Sequence, residues 1–113
     1  MHEISLCESL REILEEQAVQ QGFEKVTRVW LDIGPLSCVE PEALRFGFDA
    51  VMAGSIAEGA ALTIEQPAAR AICLACGAEV AVTSRLSPCP DCGAAELRPQ
   101  GGDTLKIRKL EVV

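Results

Sequence analysis

Histidine is almost missing from this chain: His2 is the single one among 113 residues. Hydrolase sites built on several imidazoles are therefore excluded, and no Ser/His/Asp or Cys/His grouping can form away from the terminus. Aromatic side chains are nearly as scarce, with Phe23, Trp30, Phe46 and Phe48 the whole set, so a core has to come from Leu, Ile, Val and Ala. Basic residues are outnumbered, 10 Lys and Arg against 17 Asp and Glu, which gives a net charge of −7. Phosphate backbones are bound by positive surfaces that release counterions, so no nucleic-acid partner is expected. Lys106, Arg108 and Lys109 come closest to a basic cluster and read as a solvated strand face. No run approaches the roughly 20 apolar residues that span a bilayer. The chain opens Met-His-Glu, not with a basic segment followed by an apolar one. A cytoplasmic protein without membrane contact is expected. Gly54 to Gly59 has the spacing of a phosphate loop, but Ala60 and Ala61 stand where Lys and Ser/Thr are required. Internal repeats and low-complexity tracts are also lacking, and without a catalytic grouping or a phosphate loop the chain is not expected to be an enzyme.

Cysteine is what the chain has in excess. Cys73-Leu-Ala-Cys76 and Cys89-Pro-Asp-Cys92 form two CxxC pairs, each followed by a glycine, Gly77 or Gly93. Two such turns clamp one ion from opposite sides, and zinc takes four thiolates at about 2.3 Å. Four protein ligands leave no open position, so a structural Zn(II) is the first expectation and iron in the same cage, a one-electron carrier, the rival. Few large apolar residues surround these pairs, so the segment depends on a metal to fold. Cys7 and Cys38 are left over and read as small buried hydrophobes. An auxiliary metal role stays open for Cys38, because Glu40 is close by.

Periodicity supplies the rest. Leu6, Leu10, Ile13, Leu14 and Ala18 recur at helical spacing, with Ser5 and Glu8 as a capping-box pattern and Gly22 as the stop. Val26 to Ile33 alternates as a strand, with Val29, Leu31 and Ile33 on one face and Trp30 on the other. Pro41 suits the first turn of a second helix whose inner face is Leu44, Phe48, Val51 and Met52. Gly54 and Gly59 bracket a loop before a strand from Ala61 to Glu65. Leu105, Ile107, Leu110 and Val112 give a last strand, slipping near Lys109 as a bulge would. That strand returns to the first sheet. The fold class is α/β: two helices on a small mixed three-stranded sheet, with an inserted zinc-ribbon-like four-cysteine module. The expected domains are 1–68 plus 100–113, which is α/β, and 69–99, which binds the metal.

His2 gains interest from its position. The Met1 amine, the His2 amide nitrogen and the His2 imidazole can wrap one ion in fused chelate rings, an arrangement favoured by nickel(II) and copper(II). The Glu3 amide or a carboxylate would be fourth. An exposed terminal histidine on a fraying end is the other reading.

Met1-His2-Glu3, a short α/β domain and CxxC…CxxC in the second half together resemble the HypA/HybF family of nickel metallochaperones for [NiFe]-hydrogenase maturation. The similarity spans the whole chain, and Val29-Trp30-Leu31-Asp32-Ile33-Gly34 with Leu36-Ser37-Cys38-Val39-Glu40 looks especially like the HybF branch. The resemblance implies that His2 is the essential ligand of an exchangeable Ni(II) cargo, helped by the Met1 amine and the Glu3 backbone. It implies that Cys73, Cys76, Cys89 and Cys92 hold zinc, and that the residue at Glu40 can approach the nickel. Implied partners are a HypB-like GTPase and the [NiFe]-hydrogenase large subunit, with the chain a monomer or weak homodimer. A zinc-ribbon interaction module without nickel function is the alternative.

Overall fold

The structure, a computed structural model, describes residues 3–113. Its first helix, α1 (Glu3–Gln21), buries Cys7, Leu10 and Leu14 along one stripe. Because α1 already runs at Glu3, Ser5 is an interior residue and not the expected cap. Ile13 was expected on the inner face but is 43% exposed. Gly22 ends the helix as expected: at φ 76° its amide donates to the Ala18 carbonyl at 2.9 Å, a left-handed closure that a Cβ disfavours.

Strand β1 (Val26–Ile33) buries Val29, Leu31 and Ile33 in alternation, with Val26 buried out of phase. Trp30 lies on the other face, its ring 5.5 Å from the Arg28 guanidinium and 4.8 Å from the Lys109 ammonium. Helix α2 (Pro41–Met52) buries Leu44, Phe48 and Met52 as its spacing predicts, while Val51 is only half-buried. Gly47 is buried too, because a Cβ there would press on Ile4 Cδ1 and meet Cys7 Sγ; the glycine lets α1 and α2 approach.

The remaining elements are the strands β2 (Ala61–Glu65), β3 (Ala69–Cys73), β4 (Glu79–Val82), β5 (Leu97–Gln100) and β6 (Leu105–Val112). One sheet has the order β2-β1-β6, so the last strand returns to the first as expected. The Val113 amide bonds the Lys25 carbonyl at one end and the Gly34 amide bonds the Thr104 carbonyl at the other, so β6 runs antiparallel to β1. With α2 as the crossover between β1 and β2, the sheet is mixed. A second sheet, β4-β3-β5, was not anticipated. It is antiparallel throughout, pairing Ala69 with Val82, Ile72 with Glu79, and Cys73 with Leu97.

The chain divides into two compact units, Met1–Leu31 with Val39–Ile64 and Ile107–Val113, and Asp32–Cys38 with Glu65–Lys106. The second is wider than residues 69–99, taking in the end of β1 with the segment that follows it, the last residue of β2 and the start of β6. Its core is Ala69, Ala71, Val80 and Val82 with Cys73 and Cys89, and Leu36 is packed among them. Leu36 is fixed there by its amide bonding the Gly102 carbonyl at 2.7 Å and by the Arg85 guanidinium donating to its own carbonyl at 3.1 Å. A methyl on Gly34 would overlap the Gly102 carbonyl, so glycine is required at that close approach. Among the described residues no helix is long and apolar enough to cross a membrane.

Candidate metal centre

Both cysteine pairs sit on turns closed by the same hydrogen bonds. In the first, the Cys73 amide donates to the Ala78 carbonyl at 2.9 Å and the Gly77 amide to the Cys73 carbonyl at 2.9 Å. In the second, the Cys89 amide donates to Ala94 at 2.8 Å and the Gly93 amide to Cys89 at 2.8 Å. Gly77 and Gly93 have φ of 74° and 77°, and a Cβ on either would meet nothing within 4 Å. Glycine is therefore needed for conformation rather than for space. The leading cysteine of each pair is buried and the trailing one exposed.

All four sulfurs lie within 4.8 Å of one another. Cys73 Sγ is 3.6 Å from Cys92 Sγ, and Cys76 Sγ is 3.8 Å from Cys89 Sγ. Sulfurs arranged tetrahedrally at about 2.3 Å from an ion stand about 3.8 Å apart, whereas a disulfide needs about 2.05 Å. The four cysteines are free thiols whose spacing fits a tetrahedral S4 ion.

Local electrostatics agree with that chemistry. The Cys76 amide donates to Cys73 Sγ at 3.4 Å, and this bond, with the Ala75 amide and the neighbouring thiols against burial, brings Cys73 down to about 7. At Cys92 the Ala94 amide acts downward, but its contact with Cys73, burial, and contacts with Cys76 and Cys89 push it up to about 12. Cys76 is raised as well, the Ala78 amide being outweighed by Cys73, burial and Cys89. One thiolate forms readily and its neighbours resist, because like charges this close disfavour one another. A cation at the centre removes that conflict.

The other predicted residues fall elsewhere. Cys7 is fully buried as expected, its thiol 3.5 Å from the Leu44 carbonyl and raised to about 11 by burial and then by Glu3. Cys38 is exposed, contrary to expectation, and holds φ 62° without being glycine. Its side chain stays exposed just after the turn that the Ser37 amide closes on the Gly34 carbonyl at 3.0 Å. Glu40 caps α2: its carboxylate accepts the Glu42 amide at 3.1 Å, and its own amide donates to Glu3 Oε2 at 3.3 Å. The Glu40-Pro41 pair held the signal for that cap, since proline marks the first helical position. Leu36 and Arg85 were missed; nothing in sequence periodicity marks a loop leucine as core. Met1 and His2, the expected nickel ligands, lie outside the described residues.

Residues 1–112 match the family profile described as hydrogenase/urease nickel incorporation, metallochaperone, hypA. The hydrogenase maturation factor HypA of Azotobacter chroococcum is 52% identical over 112 residues, 99% of each chain. Its counterpart in Paracoccus denitrificans is 50% identical over 113 residues, 100% of each. A solution structure of the Ni metallochaperone HypA from Helicobacter pylori shares the fold, with TM-score 0.72 at 23% identity over 100% of this chain and 98% of that one. The chain belongs to the HypA family of hydrogenase/urease nickel-incorporation metallochaperones.

Proposed function

We propose that this chain carries nickel(II) at its N-terminus and delivers it during [NiFe]-hydrogenase maturation, while its four paired cysteines hold a structural zinc. The observation that carries the reading is the family match from residue 1 to 112, which spans both Met1-His2-Glu3 and the cysteine pairs. The His2 imidazole is the principal nickel ligand, with the Met1 amine and the amide nitrogens of His2 and Glu3 completing a planar nitrogen set. A ligand set at a chain end exchanges its ion more freely than a closed cage does. Glu40 is a neighbour to Glu3 through the bond from its amide, and its carboxylate would have to leave the Glu42 amide, at least in part, to approach nickel. Ligation by Glu40 is therefore secondary to His2.

Zinc suits the S4 cage because four thiolates close its coordination shell, and it supplies folding free energy to the unit around it. The recipient is the [NiFe]-hydrogenase large subunit, served in concert with a HypB-like GTPase partner in the cytoplasm, where thiols stay reduced. Protons compete for the imidazole and the amine, groups whose unperturbed pKa values are about 6.5 and about 8, and displacing an amide proton steepens the dependence. Nickel titration of untagged protein should show affinity collapsing on mild acidification and absent in His2→Ala. Equal affinity before and after acidification, or tight nickel in His2→Ala, contradicts the terminal site.

A further inference from the structure

Strand β6 has a strand neighbour on one side only, β1, among the described residues. Along its other side runs a groove of about 470 Å³ between β6 and the C-terminal half of α1. Ile13, Phe23, Ile107, Leu110 and Val112 line it. Ile13 and Val112 are 43% and 42% exposed, so an apolar strip lies open beside an unpaired backbone edge. Arg108 and Lys109 line the same groove. In a chain of net charge −7, that pair and Lys106 put three of its 10 basic residues on one strand.

A second copy suits this edge poorly, because β6 carries Lys106, Arg108 and Lys109 against the single acid Glu111, so two antiparallel β6 strands would bring mostly like charges together, and opposed like charges destabilise a strand pair. Edge lysines alone would serve as a defence against strand association. The apolar groove beneath them is no part of such a defence. Alternating apolar and acidic side chains would satisfy the edge, the groove and the charge together.

We propose that the outer edge of β6 receives an extended segment of another protein, in which apolar residues alternate with Asp or Glu, as an added strand. Main-chain hydrogen bonds would give affinity, and the two faces of the segment specificity: apolar side chains into the groove, carboxylates to Arg108 and Lys109. Neither nickel nor the cysteine cluster enters this interaction.

The test titrates the intact, isotope-labelled chain with a capped eight-residue peptide alternating Val and Glu, and with its Val-Lys counterpart. The acidic peptide should bind, weaken as salt rises, and shift amide signals of β6 and of α1 from Ile13 onward. Arg108→Glu with Lys109→Glu, and separately the exposed Ile13→Glu, should each weaken it at least about tenfold while folding is unchanged by circular dichroism. Equal binding of the two peptides, shifts confined to other elements, or no binding up to about 1 mM would overturn the proposal. Concentration-dependent self-association that masks the β6 amides would overturn it in favour of a second copy.

Discussion

The first unit closes around Leu10, Leu14, Leu44, Phe48 and Met52, whereas the second closes around Ala69, Ala71, Val80, Val82, one inserted leucine and two of its own metal-ligand candidates. A fully buried Leu, Phe or Met side chain contributes about 1.5–3 kcal/mol, and alanine far less. One unit thus has an apolar core sufficient to hold two helices on a sheet, and the other puts Cys73 and Cys89 where large side chains would otherwise stand. The same thiols that fill the core are placed to bind an ion. An ion held there would tie the stability of the second unit to itself, whereas the first unit closes on large apolar side chains.

Cys73→Ala is the harshest way to break that contrast. It should abolish metal content and remove amide protection across residues 69–100, while α1 and α2 keep theirs in hydrogen exchange. A metal-free variant with an intact second sheet would contradict the dependence. Phe48→Ala should cost the first unit about 3–5 kcal/mol in denaturant unfolding and leave the cysteine-bound metal in place. Glu40→Ala removes the α2 cap and should cost about 0.5–2 kcal/mol, again within the first unit, by the same assay. The smallest effect appears only at alkaline pH. Because burial holds the Cys7 thiol at about 11 rather than 9.0, the unfolded chain loses that proton first as pH rises. Stability of the first unit should fall between those two values, and Cys7→Ala should flatten the fall. An unchanged slope in that variant would assign the loss to other groups.

Strong apolar periodicity made α1, β1, α2, β2 and β6 readable from sequence, down to Leu44, Phe48 and Met52 as the inner face of α2. Ile13 has the right spacing but flanks a groove, because the stripe that reaches the core is narrower and centred on Cys7, Leu10 and Leu14. β3 and β5 gave a weaker signal: Ala-Arg-Ala-Ile-Cys buries alternate residues, but they are small ones and the large Ile72 is exposed, while Leu-Arg-Pro-Gln leaves only Leu97 partly buried. They pair with each other from Arg70–Gln100 to Cys73–Leu97, a separation in sequence that local pattern does not encode. The cysteine cluster itself was legible because ligand spacing is written directly in the chain. Leu36 and Cys38 were not, since one is buried and the other exposed by a reversal that only the folded segment defines.

The proposal of two metals at two separate sets of residues is tested most directly by metal analysis of three proteins side by side. Untagged native chain, His2→Ala and Cys73→Ala would each be loaded with nickel and zinc, desalted and assayed for both. Native protein should hold both metals, His2→Ala zinc alone, and Cys73→Ala should lose its zinc. Nickel retained in full by His2→Ala, or zinc retained in full by Cys73→Ala, would contradict the assignment.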